Sequence, residues 1–336
     1  MRSAHLIVAL AANFLAQPIV AQGVDGDSNR PWRDPVYSVG MTEHVYGHGA
    51  VLAEPPADQQ ELLLDLYQPI GPNVPGRRRP AILMVHGGGF VGGSRKFAPL
   101  VDMAIELASR GYVVASMDYR LGGRDSEGML RPLPVPSDRV QALPQTTLGE
   151  RLMNTAVDDA LSALDWLLDY SRIFNLDTSR LGVMGSSAGA VTALHLAYTV
   201  RDCNVDAPAL RFVIDFFGRA VIKCPGYDAA FEHLETGEPP LFIVHGTLDE
   251  TVPISVADDL EMRALEQNVP VEFHRIVDGK HGFDPPDDGG INLDMELGES
   301  GLTIFDRMVE WIHAAVFKPG CLSNSQGTGQ GNTCTF

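Results

Sequence analysis

A chain of 336 residues, 45% of them hydrophobic, is long enough to bury a large core and too apolar to be disordered by composition. Its 43 acidic residues against 25 basic ones give a formal charge of −18, which argues against nucleic acid and anionic membrane surfaces as partners. The one basic run, Arg77–Arg79, lies among Pro and Gly and is expected to be a solvated turn.

Met1 and Arg2 precede an apolar run, Leu6–Ala16, and "IVAQ" offers a cleavage point after Ala21. This is the layout of an export signal over residues 1–21, although Ile19 is bulky for the −3 position. A secreted or periplasmic location is therefore expected, without stable membrane insertion, since no later stretch is apolar enough to span a bilayer. Residues 22–60 are rich in Pro, Gly and His. His44 and His48 have helical spacing, but Gly47 and Gly49 break a helix there, so the pair is expected in a loop and not at a metal centre.

Further along, short apolar runs alternate with helical patterns. Strands are expected at 62–67, 81–86, 112–119, 180–185, 211–218, 241–246 and 271–277. Helices are expected at 98–110, near 150–171, from about 188, at 255–267 and near 301–317. Continuous apolar strands between helices predict an α/β fold with a mostly parallel sheet covered on both faces. One catalytic domain would span 22–318. Two segments break the rhythm. Residues 121–149, rich in Pro and Gly, are either a lid-like excursion over a site or a floppy insert. Residues 319–336 form a polar tail.

Cys203, Cys224, Cys321 and Cys334 have neither zinc-site nor redox-motif spacing. Four cysteines allow three connectivities, and export favours disulfides. The sequence-local pairing, 203–224 and 321–334, is the expectation, with the second bridge holding the tail.

The chemistry is carried by three segments. Gly185-Ser186-Ser187-Ala188-Gly189 matches G-x-S-x-G, follows an expected strand and opens an expected helix, which is the setting of a nucleophile elbow. Glycines two before and two after Ser187 would let strand and helix approach while the serine sits in a strained turn. Ser186 is expected to face inward. A serine needs a base and the base an orienting acid. Asp249 follows the strand at 241–246 and His281 follows the strand at 271–277, giving the chain order Ser, Asp, His. Glu250 is the nearest rival acid, with Asp215 and Asp284 weaker, and His245 is a rival base better suited to a structural hydrogen bond.

The third segment, His86–Ser94 ("HGGGFVGGS"), is ambiguous by itself. Gly87–Gly92 satisfies the dinucleotide-binding G-x-G-x-x-G, whereas HGGG after a strand also builds oxyanion holes. The nucleotide reading places its ribose partner, Asp118, late and leaves Ser187, Asp249 and His281 without a role. The oxyanion reading makes Gly92 and Gly93 simple turn formers.

Taken together, "HGGGF", "GSSAG", "HGTLDETVP" and "GKHGF" resemble serine carboxylesterases of the α/β-hydrolase fold, in the hormone-sensitive-lipase-like and bacterial feruloyl-esterase-like groups. The resemblance covers roughly residues 60 to 317. It implies a triad of Ser187, Asp249 and His281, and an oxyanion hole made by the N–H groups of Gly88, Gly89 and Ala188. It also implies that His86 orients the loop, that Gly185 and Gly189 support the elbow, and that "DYR" (118–120) braces the oxyanion loop. Ser186 stands where many members carry Asp, and the long N-terminal cap helices of the lipase-like group are not evident. The implied activity is hydrolysis of a small-molecule or polymer-borne ester, with no cofactor. A serine peptidase or amidase of the same fold is the alternative within enzymes, and a non-catalytic interaction protein would be expected to lack one of these residues.

Overall fold

In the computed structural model, residues 35–52, 58–71, 78–283, 294 and 301–322 are described. The apolar runs become strands β1 (Ser38–Leu52), β2 (Asp58–Ile70), β3 (Arg79–Val85), β4 (Val113–Met117), β5 (Leu133–Pro134), β6 (Leu176–Ser186), β7 (Phe212–Phe216), β8 (Leu241–Gly246) and β9 (Val271–Ile276). Among the described residues they form one sheet, in the order β5-β1-β2-β4-β3-β6-β7-β8-β9. From β4 to β9 neighbouring strands are parallel, while β1, β2 and β5 add an antiparallel edge. The parallel strands β3, β4, β7 and β8 are buried along their whole length, as expected for a sheet covered on both faces.

The covering helices are α1 (Ala98–Ser109), α2 (Leu148–Asp169), α3 (Ala188–Leu194), α4 (Ser255–Glu266) and α5 (Ile304–Phe317). One face buries α1 and α5 through Leu100, Leu107, Met308 and Ile312; the other buries α2, α3 and α4 through Leu161, Leu164, Leu194 and Leu260. Each such side chain contributes about 1.5–3 kcal/mol on leaving water. Helix α2 starts where Thr147 Oγ1 accepts the Glu150 N–H while the Glu150 carboxylate accepts the Thr147 N–H, a reciprocal cap. Among the described residues no helix is long and apolar enough to cross a membrane.

Two expectations are corrected. Residues 38–52 are a strand and not a loop, so His44 and His48 both lie on β1. Antiparallel pairing with β2 tolerates the glycines that break a helix, Gly47 pairing with Leu62 and Gly49 with Gln60, while a register shift between Val45 and Gly47 leaves Tyr46 as the extra residue. His44 packs against Trp166 and Phe174, and His48 lies 4.0 Å from Glu61. The segment 121–149 is also not a floppy insert. It supplies β5 to the sheet edge, and Arg131 Nη1 donates to the Val91 and Gly122 carbonyls, fastening it beside the HGGG loop.

Cys203 and Cys224 form a disulfide, as expected. Buried histidines hold its surroundings: His195 Nε2 accepts the N–H groups of Val221 and Ile222, and His233 Nε2 accepts that of Cys224. Cys321 is also disulfide-bonded; its expected partner Cys334, like the signal over 1–21 and the rival acid Asp284, lies outside the described residues.

Candidate active site

Strand β6 ends at Ser186 and α3 begins at Ala188, so Ser187 is the turn itself. Its φ of 51° and ψ of −118° lie in a region L-residues rarely adopt. The flanking glycines make this possible. A Cβ on Gly185 would collide with the backbone of Gly189, and one on Gly189 would collide with the Val85 carbonyl. The Ser187 N–H donates to Phe216 O at 2.9 Å, tying the elbow to β7. Ser186 is buried beside it.

The loops after β8 and β9 bring the other two residues to this point. His281 Nε2 lies 2.9 Å from Ser187 Oγ, and His281 Nδ1 lies 2.7 Å from Asp249 Oδ2. Asp249 is held hard: Oδ1 accepts the N–H groups of Thr251 and Val252, both at 2.8 Å. His245 stands behind it, with Nε2 donating to Val252 O at 2.7 Å and lying 3.2 Å from Asp249 Oδ2. This is the structural role expected of His245. Phe217 meets the His281 ring edge-on, with centroids 4.7 Å apart.

The rival acids are elsewhere. Glu250 points to solvent. Asp215 is fully buried on β7, accepts the Gly218 N–H at 2.7 Å, and has its pKa pushed up to about 6 by burial.

Opposite Ser187 runs the HGGG loop. The φ of Gly88 is 108°, and a Cβ there would strike the Gly92 carbonyl. The turn closes through the N–H groups of Val91 and Gly92 donating to Gly88 O at 3.1 and 2.9 Å. Gly92 has room for a side chain, as a simple turn former should; Gly93 does not. At Gly93, φ is 93° and a Cβ would collide with Gly87 O and the His86 ring, so this glycine is part of the packing that seats the loop.

His86 orients the loop from below. Its Nδ1 donates to Gly87 O at 2.7 Å, and its ring stacks on Tyr119 at 4.3 Å. Burial lowers the His86 pKa, keeping the ring neutral, while Tyr119 Oη donates to the carbonyls of His86 (3.1 Å) and Gly87 (3.3 Å). Thus "DYR" holds the HGGG loop through Tyr119 and Asp118. Asp118 accepts the Arg95 N–H at 2.6 Å, and Arg120 is buried against Asp158 and Asp159 of α2.

Sequence reasoning missed Arg95. Its guanidinium is buried and joins Asp118 and Glu43, with Asp65 at 3.0 Å, so the loop is pinned to β1 and β2. It also missed the walls of the site, a cleft of about 430 Å³ in which Phe97, Phe217 and Thr251 flank Ser187, Gly88 and Gly89. Pairing across 50 residues and aromatic walls from separate loops leave no local pattern to read.

A strained serine bonded to a histidine, and that histidine bonded to a buried carboxylate, is an arrangement able to transfer acyl groups. Residues 67–315 match the model of the dienelactone hydrolase family. The chain belongs to that family. It is accordingly a hydrolase with an α/β-hydrolase fold.

Among solved structures, esterase 2 of Thermogutta terrifontis in its tabun-phosphoramylated form superposes with a TM-score of 0.58 at 21% identity, covering 84% of this chain and 96% of that one. Its propionate-bound form gives 0.57 at 21%, covering 85% and 97%. At this identity the likeness establishes the shared fold.

Among curated proteins, phenmedipham hydrolase of Pseudarthrobacter oxydans is 28% identical over 176 residues, 52% of this chain and 28% of that protein. Fumonisin B1 esterase of Sphingopyxis macrogoltabida is 36% identical over 147 residues, 44% of this chain and 23% of that protein. Methylphloroacetophenone synthase of Cladonia uncialis is 29% identical over 161 residues, 46% of this chain and 5% of that protein. The chain thus spans less than a third of the length of each of these curated relatives.

Proposed function

We propose that this hydrolase is an exported serine carboxylesterase in which Ser187, His281 and Asp249 form the catalytic triad. The observation that carries the proposal is the unbroken chain of short contacts from Ser187 Oγ through His281 to Asp249, opening into a cleft. Ser187 Oγ attacks the ester carbonyl while His281 Nε2 takes its proton. Asp249 keeps the imidazole proton on Nδ1 and stabilises the cation that forms. His281 then protonates the departing alcohol, leaving an acyl-enzyme, and water deacylates it by the same route.

The developing oxyanion is received by the N–H groups of Gly88, Gly89 and Ala188. Each donor lowers the barrier by about 3 kcal/mol. His86, Tyr119 and Arg95 serve to hold that loop.

Phenmedipham hydrolase and fumonisin B1 esterase support an ester-type substrate, and the segments "HGGGF" and "GSSAG" support a place near the hormone-sensitive-lipase-like and feruloyl-esterase-like groups. The aromatic walls Phe97 and Phe217 suit a short acyl or aryl group. The export signal expected over residues 1–21 supports an environmental ester, small or polymer-borne.

The test is hydrolysis of short-chain p-nitrophenyl esters together with fluorophosphonate labelling. Both are expected in the wild type and absent in Ser187→Ala. Turnover that survives the substitution, or an adduct on another residue, would overturn the assignment.

A further inference from the structure

Arg78 and Arg79, from the run expected as a solvated turn, begin a different feature. At the end of the sheet away from Ser187, Arg78 and Arg79 at the start of β3 meet Arg110 at the end of α1 and Arg180 on β6. They frame a cavity of about 300 Å³ that Tyr37 and Tyr112 also line. Ser187 lies seven residues beyond Arg180 along β6, about 20 Å away at roughly 3.3 Å per residue. The cavity is therefore separate from the acyl-transfer site.

Its chemistry is unlike the rest of the molecule. In a chain with 43 acidic and 25 basic side chains, four arginines line one concavity, with the Arg110 guanidinium also pairing with Glu106 and lying over the Phe305 ring. Their positions are built and not accidental. Arg79 is only 8% exposed, donates to Gly111 O at 3.2 Å and lies 5.3 Å above the Tyr37 ring. Arg180 stacks 4.5 Å above Phe317 and lies 3.4 Å from Asp177, while Arg78 stands exposed at the mouth.

A second observation points the same way. Tyr112 is 2% exposed, and its hydroxyl, buried in the cavity wall, has no hydrogen-bond partner among the described residues. Buried hydroxyls ordinarily find a partner. Burial holds Tyr112 protonated, so the hydroxyl is a donor that lacks an acceptor. Guanidinium forks and a phenolic O–H are complementary to a group that only accepts, a planar or tetrahedral oxyanion.

We propose that this cavity is a second ligand site, which binds a small oxyanion, carboxylate or phosphate, between the arginines, with the Tyr112 hydroxyl donating to it and Tyr37 contacting any apolar part. Its position at the far ends of the strands carrying His86 and Ser187 makes it a binding site and not a catalytic one.

The test is thermal unfolding of the full chain, titrated with inorganic phosphate in one arm and benzoate in the other, at constant ionic strength against chloride. A saturable rise in Tm in either arm is expected, and the arm that saturates at lower concentration names the oxyanion. R78Q/R180Q, substituted at the mouth and remote from the triad, is expected to lose the rise while keeping ester turnover. A benzoate effect that persists in this variant comes from the Ser187 cleft and overturns the proposal, as does a phosphate effect that persists, which is adventitious ion binding only. As a second measurement independent of variants, phosphate is expected to protect Arg78 from phenylglyoxal, read by peptide mass. Unprotected modification with no Tm response refutes the site.

Discussion

Asp249→Asn probes the proposed triad through a conflict that the structure makes unavoidable. Asp249 Oδ1 accepts two backbone N–H groups at 2.8 Å, so an asparagine must put its carbonyl oxygen there. Its NH2 then faces His281 Nδ1, which sits 2.7 Å from the present Oδ2. Two donors cannot share that contact, so the neutral imidazole must accept at Nδ1 and carry its proton on Nε2. Nε2, 2.9 Å from Ser187 Oγ, can then no longer take the serine proton. A wrong tautomer in such a triad costs about 10⁴ in kcat, or about 5.4 kcal/mol at about 1.36 kcal/mol per factor of ten. The substitution is isosteric, so little unfolding is expected. The assay is steady-state hydrolysis of p-nitrophenyl butyrate near pH 8, with Tm measured alongside. A large fall in kcat with KM and Tm nearly unchanged is expected. Retention of more than about a tenth of kcat would refute the assigned orienting role, since the tautomer argument allows no such residue of activity.

Gly93→Ala should drive a methyl into His86 and Gly87, shift the HGGG loop and lower kcat, and fluorophosphonate labelling of Ser187 should slow in parallel. The loss is expected to approach that of one oxyanion donor, about 3 kcal/mol. Cys203→Ala with Cys224→Ala opens a loop of sequence separation 21 and should cost about 3 kcal/mol of stability in denaturant unfolding while leaving labelling intact. His195 is fully buried and neutral, its pKa pushed down to about 3 by burial first and by His233 second. The unfolded chain binds a proton there below about pH 6.5 while the fold does not. The neutral ring's contribution is thus complete above about 6.5 and declines toward pH 3, by up to about 1.4 kcal/mol per pH unit. His195→Gln keeps an acceptor for the Val221 and Ile222 N–H groups without titrating. Its Tm should therefore fall less than the wild type's between pH 7 and 4, and parallel curves would contradict the linkage.

What the sequence determined by itself is what local chemistry controls. A short β-branched and apolar run such as "AILMV" beside Pro and Gly reads as a buried strand, and Gly185 and Gly189 flank a serine because a larger residue at either would strike the neighbouring backbone. The order Ser187, Asp249, His281 was legible because in this fold each follows its own strand. Tertiary structure decided the rest, because it depends on distance through space. Antiparallel pairing with β2, not intrinsic pattern, made a strand of residues 38–52. The sequence preferred Asp249 to Asp215 and Glu250 by position, but only the fold brings an Asp249 oxygen within 2.7 Å of His281. Arg95 found Glu43, Asp65 and Asp118, and Gly93 found His86, across turns no window of sequence spans. Arg78 and Arg79 looked like a solvated turn until β6 and α1 brought Arg180 and Arg110 beside them. Charge and packing act over a few ångströms in space, and only the fold sets which residues lie that close.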